Sequence, residues 1–395
     1  MKNNTAKIIY IVLILVLILT LSFSVLKGYL GRDKAAKEPS DISYYIPYRE
    51  DVIGMDRDIK AYGGWKLDKI GEDRMVIEMD NHYLCYSELP ESDADIEAAA
   101  DSLQEFFGFL DEKGIDHLYL NMGSKTSPVD RQMPITNMEC TNENGDRFQT
   151  ALETRGIEYV DMRDELLQSG RDWYGSFYIA DNHWTTDTQL WLAGDIAGIL
   201  NKDYGYNFDL STFDKTNYNS EVHPTYWLGS QGRAVTAKRA PLDDFEIITP
   251  KFDTSLTVTV PSRGEDITGP YADSYFNREL FDDIASYTDD DHLNKPDAYS
   301  CIRIGNERLA HVHNNLPTGN EGKKILFLYD SYSHYIASYL TLGIEDVDII
   351  HLPNTDESVR KYIEETKPDM VLVMYAERNI MAPDYSSHIS PFDFR

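Results

Sequence analysis

A serine hydroxyl becomes a useful nucleophile when an imidazole stands ready to take its proton, and the imidazole works best when a carboxylate fixes its tautomer. The chain carries candidates for all three roles. Ser331 follows the apolar run Lys324 to Tyr329 (KILFLY) and Asp330, and His183 lies in the segment Asp181-Asn182-His183-Trp184. Side chains two residues apart in extended backbone point the same way, so Asp181 is placed to hold His183. An Asp-x-His pair also recurs by chance, and Asp181 is equally suited to cap the helix that follows.

The elements that must position these residues read as α/β. At the carboxyl end, strands over Lys324–Tyr329, Asp346–Leu352 and Met370–Tyr375 alternate with helices over Tyr335–Leu342 and Glu357–Thr366. Right-handed crossovers make such strands parallel and gather their carboxyl ends on one edge, where α/β folds place their sites. Upstream, Met75–Met79, His117–Asn121 and Ile157–Asp161 read as strands of further βα units, with helices over Asp93–Glu112 and Arg147–Thr154. A helix over Thr186–Leu200 leaves His183 just outside its start. Between Tyr204 and Gly322 the texture turns Thr-, Asp-, Pro- and Tyr-rich, with one alternating run, Leu256–Val260 (LTVTV); this reads as a β-rich insertion.

Just past the strand ends stand Asn121, Ser124 and Lys125, then Ser331 and Tyr332, then Glu377 and Arg378. The Ser331 backbone N–H, at the start of a helix, is the first candidate to stabilise an oxyanion; Asn121, Ser124 and Arg378 are further donors. Solvated strand ends also carry polar residues for no functional reason, and an exposed salt bridge around Glu377 and Arg378 is the plainer reading of that pair. Tyr332, Tyr375 and Trp184 lie beside the candidate site, and flat rings with polar tips suit stacking on sugars as well as packing in cores.

The amino terminus adds a location. Ile8 to Val25 is an uncharged, mostly Ile/Leu/Val run flanked by Lys2, Lys7 and Lys27, and at ~1.5 Å per residue it can just span a hydrocarbon core. It is long for a cleaved signal peptide, so positions 1–30 read as a membrane anchor, 31–60 as a polar stalk and 61–395 as the folded domain. Arg32, Lys34 and Lys37 leave the orientation undecided by charge; the expectation is a single-pass protein of the cell membrane with its domain outside the cytoplasm.

With 395 residues, 42% hydrophobic, the chain buries a large core. A formal net charge of −30 sets nucleic acid aside as a partner, because phosphate recognition needs a positive field. Cys85, Cys140 and Cys301 are too few for a disulfide framework and form no CxxC pair. His311-Val312-His313 share a strand face but have no third ligand at familiar spacing, so no metal and no cofactor are expected.

Asp181-Asn182-His183-Trp184-Thr185, followed by a strand and Asp330-Ser331-Tyr332, resembles the DHHW protein family and the related alginate O-acetyltransferases AlgJ and AlgX. The similarity extends more loosely over residues 60 to 395, through Lys125, a Gly-Ser-x-Gly-Arg segment (Gly229 to Arg233) and Glu377-Arg378-Asn379. Asn182 stands where DHHW proteins carry their first histidine, and Tyr329 where a glycine usually precedes the Asp-Ser pair. The resemblance implies an SGNH-hydrolase-like, three-layer domain with a mostly parallel sheet, in which the Asp-His pair precedes the serine. It implies Ser331 as nucleophile, His183 as general base and Asp181 as its orienting acid. Substrate contacts are then expected from Tyr332, Arg378, Lys125, Asn121, Tyr375 and Trp184. The activity implied is acetylation of a hydroxyl on an exported or cell-surface polysaccharide, with the acetyl group supplied by a multi-pass membrane acyltransferase. Two rivals stand beside it: an acetylesterase with the same triad, and a non-catalytic glycan-binding surface protein.

Overall fold

The central strands are apolar on both faces because both are covered. In Lys324–Tyr329, Ile325, Phe327 and Tyr329 join one buried cluster while Leu326 and Leu328 join another. Met370–Tyr375 repeats the division, with Met370, Leu372 and Met374 against Val371, Val373 and Tyr375. Period-two alternation therefore feeds two cores, one on each side of the sheet, which makes three layers. Each fully buried Leu or Phe side chain contributes ~1.5–3 kcal/mol through burial.

The computed structural model divides the chain into two units, Met1–Trp65 and Lys66–Arg395. In the second it describes residues 67–70, 74–134, 139–235, 240–288, 291–292, 295–305, 307–352, 358–379 and 390–395; in the first, only Ser22. The expected anchor, Ile8 to Val25, and the stalk lie outside the described residues. Among the described residues no helix is long and apolar enough to cross a membrane.

The described strands are β1 (Leu67–Ile70), β2 (Arg74–Glu78), β3 (Leu84–Tyr86), β4 (Asp116–Asn121), β5 (Tyr159–Asp161), β6 (Tyr218–Trp227) and β7 (Asp243–Pro250). They continue as β8 (Leu256–Val260), β9 (Glu265–Gly269), β10 (Ala310–Asn314), β11 (Lys324–Tyr329), β12 (Asp346–His351) and β13 (Met370–Tyr375). The helices are α1 (Asp93–Lys113), α2 (Thr141–Thr154), α3 (Met162–Ser169), α4 (Thr186–Asp203), α5 (Ser230–Val235), α6 (Tyr271–Ser274), α7 (Arg278–Ile284), α8 (His334–Leu340) and α9 (Val359–Thr366).

The main sheet has eight strands in the order β5-β4-β13-β11-β12-β10-β8-β9. The first five are parallel, so the expected βαβαβ at the carboxyl end forms β11, β12 and β13 with their carboxyl ends on one edge. β10, β8 and β9 extend the sheet antiparallel. The region read as an insertion is thus partly a continuation of the main sheet, and it also holds α5, α6 and α7. Among the described residues of that region, β6 and β7 pair apart from the main sheet.

Two expectations are corrected. Met75–Met79 does not open the parallel sheet: β2 pairs antiparallel with β1 and β3, returned by a tight turn in which His82 has φ 68° and donates its N–H to the Met79 carbonyl. The second helix begins at Thr141, two turns before the apolar spacing marks it. Its polar first turns are buried, with Asn142, Asn144 and Gly145 against neighbouring chain, and Glu139 accepts the Thr141 N–H.

Helix α1 follows its sequence closely. Ser92 caps it by accepting the Asp95 N–H, Leu103, Phe106, Phe107 and Leu110 are buried, and Gly114 ends it at φ 68°.

Candidate active site

Two loops meet above the carboxyl edge of the parallel strands. The first is the turn between Phe177 and Trp184, which pair as an isolated antiparallel bridge, with the Tyr178 N–H on the His183 carbonyl and the Thr185 N–H on the Ser176 carbonyl. Asp181, Asn182 and His183 occupy its tip, and Thr185, rather than Asp181, caps α4 through the Thr188 N–H. Asp181 is therefore free for His183. The second loop follows β11, where Asp330 accepts the Tyr332 N–H at 3.0 Å and the Ala376 N–H at 2.7 Å, tying the serine's turn to the end of β13.

These loops bring three side chains into line. The His183 Nε2 lies 2.8 Å from the Ser331 Oγ, and the His183 Nδ1 is hydrogen-bonded to the Asp181 Oδ1, which also accepts the His183 backbone N–H at 2.9 Å. The Asp181 contact assigns the Nδ1–H tautomer and leaves Nε2 as acceptor for the serine proton. Asp181 is 1% exposed, His183 9% and Ser331 half-buried, so the carboxylate is sheltered and the hydroxyl reachable. Burial alone would push the Asp181 carboxyl up; the charge of His183, and hydrogen bonds from His183 and the Ser230 N–H, hold it well below the carboxylate range.

The Gly-Ser-x-Gly-Arg segment supports the acid. The Ser230 N–H donates to the Asp181 Oδ2 at 2.6 Å, and the Ser230 hydroxyl donates to the Asn182 side chain at 2.8 Å. A Cβ on Gly229 would meet the Asp181 Cβ at 2.1 Å, so only glycine allows this approach. The Gly232 N–H then reaches the Ala180 carbonyl at 2.7 Å. From the other side Asp243, on β7, accepts the Ile179 and Ala180 N–H groups at 2.6 and 2.8 Å. Burial pushes its carboxyl up to about 6 against these bonds and Lys125.

The residues expected to touch substrate divide. Arg378, half-buried, and Tyr332, itself only 1% exposed, line a small pocket of about 20 Å³ flanking Asn182, together with Ser124 and the Lys125 side chain. Arg378 stacks over the Tyr86 ring and lies 3.6 Å from Glu88. The other assignments are corrected. Trp184 is fully buried and stacked on Phe177 with centroids 3.9 Å apart; Tyr375 is fully buried against Phe392. Asn121 is 1% exposed and donates to Glu377 and Asp161. Lys125 is 2% exposed and gives its Nζ to the Leu84 and Ile179 carbonyls and to Gln231. Burial pulls its ammonium down to about 8, with Asp243 and Asp181 acting against that. Asn121 and Lys125 spend their hydrogen bonds inside the protein, while Trp184 and Tyr375 are held there by ring packing.

Two further readings change. Ser331 opens a 3-10 turn, Ser331–Ser333, and the α-helix starts only at His334, so Ser331 is not seated at an α-helical dipole. Glu377 does not form a solvated pair: it is buried 2.7 Å from Arg163, which also binds Asp161 and Asp146. Burial pushes Glu377 up to about 8 while Arg163 and the Asn121 amide pull it back. The departures at Asn182 and Tyr329 are both accommodated, since Asn182 bonds Ser230 and the Tyr329 hydroxyl donates to the Gly305 carbonyl at 2.6 Å.

His311 and His313 pair with Asp348 and Asp346 across the β10–β12 ladder at 2.8 and 2.9 Å. Cys85, Cys140 and Cys301 are free and buried.

No family model matches the sequence, and no curated protein does. Solved structures match by fold. Bacillus cereus PatB1, in a structure with a sulfonyl adduct, superposes with a TM-score of 0.64 at 17% identity, covering 82% of this chain and 99% of that one. A DHHW family protein from Eubacterium siraeum superposes with a TM-score of 0.59 at 12% identity, covering 82% and 96%. This chain shares their fold. A more distant likeness, with a TM-score of 0.45 at 13% identity over 79% of this chain and 94% of the other, is to the O-acetyltransferase domain of Pseudomonas putida AlgJ.

Proposed function

We propose that the protein is an O-acetyltransferase acting outside the cytoplasm on a cell-surface or exported polysaccharide, through Ser331, His183 and Asp181. The observation that carries this reading is the continuous hydrogen-bonded line from the Ser331 hydroxyl through His183 to a buried Asp181. The Ser331 Oγ attacks the acetyl carbonyl as its proton passes to the His183 Nε2, giving a tetrahedral oxyanion. The adduct collapses, the donor's leaving oxygen takes that proton, and acetyl-Ser331 remains. A sugar hydroxyl then attacks the ester, its proton goes to His183, and the acetyl group leaves on the sugar while Ser331 is regenerated. Asp181 keeps the imidazole oriented and stabilises the imidazolium formed in each half.

The location comes from the amino-terminal apolar run, and with it the acetyl donor: outside the cytoplasm acetyl-CoA is absent, so a multi-pass membrane acyltransferase is the partner that supplies the group. Chemistry of this kind needs no cofactor.

The test is hydrolysis of an aryl acetate by the full-length chain in mild detergent, with and without an oligosaccharide acceptor. Ser331→Ala and His183→Ala are expected to lower turnover by roughly 10⁴-fold or more, and a sulfonyl fluoride should label wild type on Ser331 alone. Acetate appearing on the acceptor supports transfer. Release to water unaffected by any acceptor supports the esterase, and full turnover in Ser331→Ala sinks both.

A further inference from the structure

Tyr299 lies in the region between α7 and β10, at the head of a 3-10 turn, Tyr299–Cys301, far in sequence from either loop of the site. It is 5% exposed and touches both. Its ring lies on the His183 imidazole with centroids 4.1 Å apart and planes 15° from parallel. Its hydroxyl donates to the carbonyl of Ser331 at 2.8 Å, and the Gln189 Oε1 lies 3.3 Å from the Tyr299 hydroxyl oxygen. The orientation of that amide is set independently, because the Gln189 Nε2 donates to the Trp184 carbonyl at 3.0 Å while its Oε1 accepts the Tyr335 N–H at 3.1 Å. Gln189 thereby joins the histidine's loop to the helix behind the serine, and Tyr299 closes the bridge. Tyr299 also packs parallel to Trp227, with centroids 5.8 Å apart and planes 9° from parallel.

We propose that Tyr299 is a positioning residue that sets the nucleophile and the base against each other: its ring fixes the plane of His183 and its hydroxyl fixes the main chain of Ser331. The inference rests on Ser331 and His183 acting as nucleophile and base. The 2.8 Å approach of Ser331 to His183 joins two loops 148 residues apart, and a small misplacement of reacting groups lowers rates steeply. The phenol face also lies where positive charge develops on the imidazole, which a ring quadrupole favours. Burial keeps the phenol protonated, so it remains a donor throughout.

The two contacts separate by mutation. In the aryl acetate assay on the full-length chain, Tyr299→Phe keeps the ring and loses the hydrogen bond, and kcat is expected to fall about three- to tenfold with KM within about twofold. Tyr299→Leu loses both contacts, and kcat should fall about 100-fold in all, again without a matching rise in KM. A general structural defect would instead lower the melting temperature and leave the kcat of the folded fraction intact. Wild-type kcat in folded Tyr299→Phe and Tyr299→Leu overturns the inference, as does a loss expressed in KM. If Tyr299→Leu does not fold, the kcat of Tyr299→Phe decides alone. Ser331→Ala runs alongside: its turnover must be abolished, and if it persists the triad itself fails rather than the role of Tyr299.

Discussion

At the scale of single residues the site depends on a carboxylate kept ionised in a nearly dry place. Asp181 carries four attractions against its burial: the charge of His183, two hydrogen bonds from that residue and one from the Ser230 N–H. Asp181→Asn, which removes the charge and misdirects the imidazole, should lower kcat by about 10³–10⁴-fold. The same residue has a signature in stability. Its folded-state pKa lies below the unfolded one, so its ionisation stabilises the fold fully above the ordinary carboxylate range, and that stability begins to fall within this range and is lost as pH drops through the lower folded-state pKa. Denaturation by urea at pH 7 and pH 3 should therefore show a larger deficit for Asp181→Asn at pH 7, narrowing at pH 3; a constant deficit would contradict the assignment. The Asp-x-His pair and the serine after a strand were legible as types and spacing. Lys125 and Asn121 were misread as ligand contacts because position at a strand end does not reveal whether a side chain's hydrogen bonds are already spent within the protein, and Tyr375 and Trp184 because nearness in sequence to the site does not reveal that their rings pack in the core.

At the scale of elements, the frame is held where β4, β13, α2 and α3 meet. Arg163, from α3, is 4% exposed and reaches Glu377 after β13, Asp161 at the end of β5 and Asp146 on α2. A Cβ on Gly145 would meet the Glu377 Oε1 at 2.2 Å, so α2 lies hard against this pair. Arg163→Met leaves buried carboxylates without their cation and should destabilise the protein by about 3–5 kcal/mol, read from urea unfolding. Burial pushes the Glu377 carboxyl up to about 8, so above that pH, where it is ionised, Arg163→Met with Glu377→Gln should recover part of the loss because the stranded charge is then gone; full additivity of the two losses there would show the pair to be uncoupled. The helices and strands themselves followed from local pattern where their faces were apolar, as in α1, β11 and β13. α3 and the first turns of α2 were missed because their residues are polar, and those polar groups are buried only through partners distant in sequence.

At the scale of the whole molecule, the net charge of −30 repels polyanions on average. The full-length chain should pass unretarded through a heparin column at low ionic strength, and retention released by salt would place a basic face on the protein that its composition does not suggest. The α/β class, the parallel strands at the carboxyl end, the apolar run at the amino end and the three residue types able to do acyl transfer were all legible before folding, because each is written in local period, length or side-chain chemistry. The tertiary structure alone decided that β8, β9 and β10 lengthen the main sheet, that Gly229 and Ser230 brace Asp181, and that Tyr299 lies between His183 and Ser331. Those arrangements depend on which distant segments are brought into contact, and no window of neighbouring residues carries that information, since the contacts are satisfied only once the chain has closed around them.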